Sequence, residues 1–334
     1  MRIALLGATG LVGREMIKTI EERGLAVEEF RPLASARSAG STVSLNGRDW
    51  TVQEVSPEGF DGIDVAIFSA GGDASRKWAP VAAERGAVVI DNSSAWRMDP
   101  EVPLVVPEIN GQAAKNTPKG IIANPNCSTI HAVMALYPLH KAIGLRSMVV
   151  TTLQSVSGSG WKAVEELEEE SRLVLEGKKS DADKRASVYP HRIAFNAVPQ
   201  VGSFDDQGYT DEEWKMVNES RKIMSLPELK VDCTCTRVPV MRGHSLSIAA
   251  QFDRAVSPEE ARAILSDAPG VVVRDDPSSS VYPLAIEAEG TDPVYVGRIR
   301  RNLVLDNGLD LWVSSDNIRK GAALNAVQIA ELLV

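Results

Sequence analysis

The feature that most constrains this chain is its opening. An apolar run at residues 3–6 passes without interruption into Gly7-Ala8-Thr9-Gly10-Leu11-Val12-Gly13, and a helical pattern follows at once. Glycines in such a loop let the backbone turn tightly and approach a pyrophosphate. The free N–H groups of the following helix then face its charge. The spacing is G-x-x-G-x-x-G, a departure from the usual G-x-G-x-x-G, so the order strand, loop, helix carries the reading. A plain glycine turn is the competing explanation. Gly7, Thr9, Gly10, Leu11, Val12 and Gly13 are the expected dinucleotide-binding residues.

Downstream, short apolar runs at 65–68, 88–90 and 121–123 alternate with helical patterns at 11–23 and 74–85. Gly24 and Gly86 stand where helices stop. Alternation of this kind predicts a parallel sheet with helices on both faces. A second strand should end near Leu33-Ala34, where an NAD-specific site would carry an acidic residue for the ribose. Here the chain reads Ser35-Ala36-Arg37-Ser38, and Glu28 and Glu29 lie too early. A guanidinium between two hydroxyls suits the 2′-phosphate of NADP, against the alternative of a solvated loop cation. Ala70 and Gly71, and Asn92 in Asp91-Asn92-Ser93-Ser94, sit in loops expected at strand ends, where ligands bind in such sheets.

Beyond about Gly144 the character changes. Longer runs of period two at 245–252 and 294–303 mix with helical patterns at 161–175, 211–224 and 258–265. That predicts an α+β domain with a largely antiparallel or mixed sheet. The fold class is thus α/β: a Rossmann-like domain plus an α+β domain. Residues 318–333 read as a clean amphipathic helix, 177–187 as an exposed loop, and 165–170 as a solvated helix face. Cys233 and Cys235 alternate on a strand and so share a side. Too few ligands surround them for a metal, and they read as packing residues, at a subunit contact if one exists.

A length of 334 residues suffices for two cores. The net charge of −9 is spread along the chain without a basic stripe, which argues against nucleic acid. An anionic substrate must then be held by a few placed arginines or lysines. Three cysteines suggest free thiols in a reducing compartment. No leader or membrane-length run is read, so the expectation is a cytoplasmic protein.

Asn124-Pro125-Asn126-Cys127-Ser128-Thr129 follows an apolar strand and precedes a helical pattern at 129–141. A cysteine at a helix N-terminus is placed to be a thiolate nucleophile, whereas a packing cysteine would sit inside an element. A partner base is needed, and His131, His140, His191 and His244 are all candidates. His244, beside Gly243 at the mouth of a strand, is free to reach into a cleft.

Taken in order, GATGLVG, LASARSAG, DNSSAWR, NPNCST, QSVSG, RVPV with RGHS, and SDNIRKGAALNAVQIAE resemble the aspartate-β-semialdehyde dehydrogenase family along the whole chain. The resemblance implies that residues 1–127 plus 316–334 form the NADP-binding domain and 128–315 the catalytic and dimerisation domain of a homodimer. It implies Cys127 as nucleophile, His244 as acid/base and Gln154 as the residue orienting the reacting group. Arg237 would hold the substrate α-carboxylate, Glu219 its ammonium, and Arg97 with Lys222 inorganic phosphate. Ser157, Gly158 and Asn317, with Lys320-Gly321-Ala322, would line the cofactor.

The implied reaction converts β-aspartyl phosphate to aspartate semialdehyde through a thioester, in lysine, methionine and threonine biosynthesis. Glu219 and Lys222, three apart on a helix, share one face and could equally be a solvated ion pair. A reductase of N-acetyl-glutamyl phosphate would share the chemistry without needing Glu219. A silent nucleotide-binding sensor on the same fold is the rival from another class.

Overall fold

The computed structural model describes residues 1–333, which form two units: Met1–Asn126 with the segment from Gly321 on, and Cys127–Lys320.

In the first unit the strands are β1 (Arg2–Leu6), β2 (Glu29–Ala34), β3 (Thr42–Leu45), β4 (Arg48–Thr51), β5 (Gln53–Glu54), β6 (Val65–Phe68), β7 (Val88–Asp91) and β8 (Ile121–Ala123). Its helices are α1 (Leu11–Glu22), α2 (Gly72–Glu84) and α3 (Pro107–Asn110). Six strands make a parallel sheet in the order β5-β2-β1-β6-β7-β8, while β3 and β4 form a separate hairpin. The chain leaves β1 to one side for β2 and returns on the other side as β6. The strand order therefore reverses at β1, and the crevice beyond its carboxyl end is where such sheets bind ligands. On one face Ile3, Leu5, Ile67, Ile90 and Ile122 pack with Met16 and Ile20 of α1. On the other, Phe68 stacks on Phe60, which meets Trp78 of α2. The period of two along each strand assigns residues to these faces.

The second unit contains helices α4 (Cys127–Ile143), α5 (Trp161–Leu175), α6 (Lys179–Arg185), α7 (Asp211–Met224), α8 (Pro258–Ser266) and α9 (Ala285–Ala288). Its strands are β9 (Leu145–Gln154), β10 (Lys230–Arg237), β11 (His244–Phe252), β12 (Val271–Val273), β13 (Val294–Arg301) and β14 (Gly308–Ser315). They form a mixed sheet in the order β10-β9-β11-β14-β13-β12. Strands β10 and β9 run parallel, as do β12 and β13, and the central pairings are antiparallel. Helix α4, apolar around most of its circumference, is buried over most of its length and lies against this sheet.

Register decides what this sheet presents. Arg237 pairs with Gln154, and His244 pairs with Ser315 on the neighbouring strands. The carboxyl ends of β9, β10 and β14 and the amino end of β11 therefore meet along one edge.

The structure corrects three sequence expectations. The C-terminal stretch is not an amphipathic helix. A π-helical turn at Arg319–Ala323 precedes α10 (Leu324–Glu331), which is buried on almost every side. Ala326, Val327, Ile329 and Ala330 join the first unit's core, and Asn325 donates to the Val105 carbonyl and to Asn124 Oδ1. A helix so enclosed shows only Gln328 and Glu331 at its rim, not a polar face.

The stretch 177–187 is not all loop, since α6 forms within it and buries Ala182. The acidic run of α5 is not wholly solvated. Glu166 and Glu170, four apart and so on one face, are buried. Glu166 accepts from Ser187 N, Ser187 Oγ and Val188 N, and Glu170 from Ile193 N and Ala194 N. Buried carboxylates here replace the ladder that the 187–194 backbone lacks.

Candidate active site

The second unit gathers a polar cluster at the edge where β9, β10, β11 and β14 end. His244 opens β11 and is fully buried. The Ser155 N–H donates to its Nδ1 at 3.0 Å, while its Nε2 is buried without a partner. A nitrogen that accepts cannot carry the proton, so the neutral ring holds its proton on Nε2, facing the site. Burial, with the Arg237 guanidinium and His131 close by, holds the ring well below the usual imidazole value. It is neutral at physiological pH.

Arg237 closes β10 and is also buried. Its Nη1 donates to the Ser155 carbonyl at 2.6 Å, and its guanidinium lies 5.7 Å from the Tyr189 ring. Its Nε has no partner, and among the described residues no carboxylate forms an ion pair with it. A buried guanidinium without a counter-ion is costly, and an arriving carboxylate would relieve that cost. Gly158 faces both groups. A Cβ there would lie 3.0 Å from Arg237 Nη1 and 3.3 Å from His244 Nε2. The glycine keeps open the space before them.

Gln154, at the end of β9, donates to Glu212 Oε1 at 3.2 Å, and Glu212 also receives Lys215. The amide is thereby fixed from the far side. Asn317 Oδ1 accepts from Gly243 N, Ser155 Oγ and Ser157 Oγ. Cys127 is the first residue of α4, half-buried and outside any disulfide. No other side chain in the first turn of α4 is acidic. That N-terminus favours a thiolate. Glu219 on α7 is buried and Lys222 is half-buried.

The other histidines separate by surroundings. His140 accepts from Leu145 N at the end of α4, and His191 is exposed. His131 is fully buried with its ring 6.2 Å from that of His244, and burial together with Lys320 pushes it down to about 3. Cys233 and Cys235 are buried with their sulfurs 3.6 Å apart.

In the first unit the glycines act through backbone geometry. Gly7 has φ +91°, and a Cβ on it would lie 2.3 Å from the Ser69 carbonyl oxygen. A Cβ on Gly13 would lie 2.1 Å from the Gly7 oxygen, so glycine lets α1 close on the loop. Helix α1 has no side-chain cap at Gly10 and no acidic residue in its first turn. Its free N–H groups and positive end fit a phosphate. Asn92 Oδ1 is buried without a partner, which fits an amide or hydroxyl donor of a bound dinucleotide. Ser35 and Arg37 are exposed after β2, with Ser38 half-buried. Arg97 is buried and donates from Nε to the Asn124 carbonyl and from Nη2 to that of Asn92, tying together the loops after β8 and β7.

Residues 2–117 match the family described as semialdehyde dehydrogenase, NAD binding domain, and residues 136–320 match semialdehyde dehydrogenase, dimerisation domain. A curated relative from Aquifex aeolicus, named aspartate-semialdehyde dehydrogenase, is 53% identical, with 100% of this chain and 98% of that protein covered. The chain belongs to the aspartate-semialdehyde dehydrogenase family. Among solved structures, aspartate semialdehyde dehydrogenase II from Vibrio cholerae, complexed with ASA, superposes with TM-score 0.95. Identity is 43%, with 99% of this chain and 97% of that chain covered. The Candida albicans enzyme with NADP superposes with TM-score 0.77 at 27% identity, covering 99% of this chain and 98% of that one.

The fold class read from the sequence is the family's: a nucleotide-binding domain with a parallel sheet and a second domain with a mixed one. Within the second unit, Gln154, Ser157, Gly158, Arg237, His244 and Asn317 come together at one sheet edge. Sequence reasoning gave no role to Ser155, Tyr189 or Glu212, which hold His244, Arg237 and Gln154 respectively. Ser155 lies within a quoted motif, but Glu212 and Tyr189 carry no local signal, because sheet register and loop path decide what they touch. Among the described residues no group of three or more His, Cys, Asp or Glu is placed to hold a metal. No helix among them is long and apolar enough to cross a membrane.

Proposed function

We propose that this protein catalyses NADPH-dependent reductive dephosphorylation of L-β-aspartyl phosphate to L-aspartate-β-semialdehyde, as a homodimer in the cytoplasm. The observation that carries the reading is the buried Arg237 guanidinium, paired with no carboxylate among the described residues, beside the Nε2 of a neutral His244 across an open Gly158. It suits a small substrate with one carboxylate and one reacting carbonyl. The relative complexed with ASA supports it.

In this reading Arg237 binds the α-carboxylate through its planar fork, and the buried Glu219 meets the ammonium. Cys127 attacks the acyl carbon as a thiolate, the C–O bond to phosphate breaks, and a thioester remains. Arg97 and Lys222 hold the phosphate. Gln154, fixed by Glu212, orients the acyl group. His244 donates from Nε2 to the acyl oxygen as negative charge develops there. Bound NADPH supplies the hydride that reduces the thioester. The adduct then collapses as the C–S bond breaks and the thiolate returns to Cys127.

Gly7, Thr9, Gly10, Leu11, Val12 and Gly13 hold the pyrophosphate, and Ser35, Arg37 and Ser38 the 2′-phosphate. Ala70, Gly71, Asn92, Ser157, Gly158 and Asn317 line the remainder of the cofactor. The test is phosphate-dependent NADP⁺ reduction with L-aspartate-β-semialdehyde, run beside NAD⁺ and a Cys127→Ser variant. Turnover that needs neither phosphate nor Cys127 would overturn the proposal.

A further inference from the structure

Two residues that touch no reacting atom in the proposed reaction surround the ring that donates to the acyl oxygen. Asn317 Oδ1 accepts from Gly243 N at 2.9 Å and Ser155 Oγ at 3.0 Å, while its Nδ2 donates to Ser157 Oγ at 3.0 Å. Gly243 immediately precedes His244, and Ser155 immediately follows Gln154. One side chain thus ties the strand ends that carry both groups, and all its neighbours in this network are buried.

The Ser155 residue meets the His244 ring twice. Its N–H donates to Nδ1, and its Oγ lies 3.0 Å from the same nitrogen. Asn317 Oδ1 can only accept, so a hydroxyl proton directed to it leaves the Ser155 Oγ lone pairs toward the ring. We propose that Ser155 and Asn317 are positioning residues that set the protonation state of His244. The Ser155 amide fixes the resting ring as the Nε2–H tautomer. The Ser155 hydroxyl, turned by Asn317, is the acceptor for Nδ1–H whenever the ring becomes charged.

Without that acceptor the imidazolium would place an Nδ1–H against an N–H in a buried site, an unpaired donor. The other charged or titratable groups facing the ring oppose its charging. Arg237 approaches from β10 and His131 from α4, with Lys320 behind His131. Asp316 gives no relief. Its carboxylate is occupied by Arg242 Nε, Gly290 N, Ile318 N and Arg319 N.

This inference deepens the reading of His244 as acid/base and rests on it. The test is the pH profile of kcat for wild type, Ser155→Ala and Asn317→Asp, with the dissociation constant for NADP⁺ measured in parallel. Ser155→Ala removes the acceptor, so the acid limb moves to lower pH. Asn317→Asp sets a carboxylate one hydroxyl away from Nδ1, and the limb rises by about one unit. A limb unmoved in both variants, with only NADP⁺ affinity altered, would reduce Asn317 to a cofactor-lining residue and overturn the inference.

Circular dichroism identifies a variant that has not folded, and the other then decides. A second arm needs no turnover: long-range ¹H–¹⁵N NMR of the wild-type imidazoles, with His244→Asn for assignment. The inference expects protonated Nε2 and bare Nδ1 at neutral pH, and a protonated Nδ1 overturns it. Absence of cysteine-dependent turnover in the wild type would instead remove the proposed function and leave the NMR arm standing.

Discussion

Arg237 donates from Nη1 to the carbonyl oxygen of Ser155 at 2.6 Å, and the Ser155 amide donates in turn to His244 Nδ1. The cation and the imidazole are therefore held by the carbonyl and the amide of one residue, so a shift of the Ser155 backbone bears on both. The guanidinium otherwise has the Tyr189 face and no carboxylate among the described residues.

Replacing Arg237 should cost substrate binding above all. Arg237→Leu removes both the fork and the charge, and kcat/KM should fall on the order of 10²-fold or more. Arg237→Lys should recover only part, because an ammonium cannot bind a carboxylate in two places. Steady-state kinetics in the two variants checks this. Equal activity in the lysine variant would show that charge alone suffices.

Gly158→Ala tests the open space. The added methyl would sit 3.0 Å from Arg237 Nη1 and 3.2 Å from His244 Cε1. Gly158 has no positive φ, so backbone strain is not the cause. A melting temperature close to wild type with kcat/KM reduced at least about tenfold is expected.

Acid sensitivity should trace to His131 and His244. Both fall below 6.5 on burial, His131 to about 3. Between the unfolded value and the folded one, the unfolded chain binds the extra proton. Stability contributed by His131 is therefore complete above pH 6.5 and declines as pH falls toward 3. The slope is at most roughly 1.4 kcal/mol per pH unit for each ring. His131→Gln should flatten the fall of urea midpoints between pH 6.5 and 4, and an unchanged slope would place the acid sensitivity elsewhere.

Glu170→Ala should unfold the loop side of the site before its core. Two backbone donors, Ile193 N and Ala194 N, would lose their acceptor inside the protein. The loss is about 1–3 kcal/mol, visible in thermal melts. The same segment leads to Val198, which pairs with Arg237 through two backbone hydrogen bonds at 2.8 and 2.9 Å. Substrate KM should rise with it. A destabilised variant with normal KM would uncouple the clamp from Arg237.

Arg37→Ala bears on cofactor choice. Arg37 is exposed and forms no ion pair among the described residues, so its loss should leave stability unchanged. KM for NADP⁺ should rise while KM for NAD⁺ stays as it was. Parallel increases for both would dissociate Arg37 from the 2′-phosphate.

The glycine loop, the strand–helix alternation and the cysteine at the start of α4 were legible because each is local. Turn geometry at Gly7 and the helix end at Cys127 depend on residues within one turn of the chain. The buried glutamates of α5 were misread for the opposite reason. A helix face rich in Glu looks solvated until a loop without its own hydrogen-bonding ladder comes to lie on it. The last helix failed in the same way, since no local pattern announces that α10 will be enclosed in the first unit's core.

By itself, then, the sequence determined the fold class, the glycine loop between strand and helix, the place of Cys127 at a helix start and the set of charged residues from which a site could be built. Only the tertiary structure decided which of four histidines faces Arg237, which of its nitrogens carries the proton, and what holds it there. Those answers depend on strand register across β9, β10, β11 and β14. A one-residue slip along any of them turns a side chain to the opposite face. Burial then sets the energetic terms: the same imidazole and guanidinium in water would be ordinary groups, and only their enclosure at one sheet edge makes one neutral and leaves the other short of an anion.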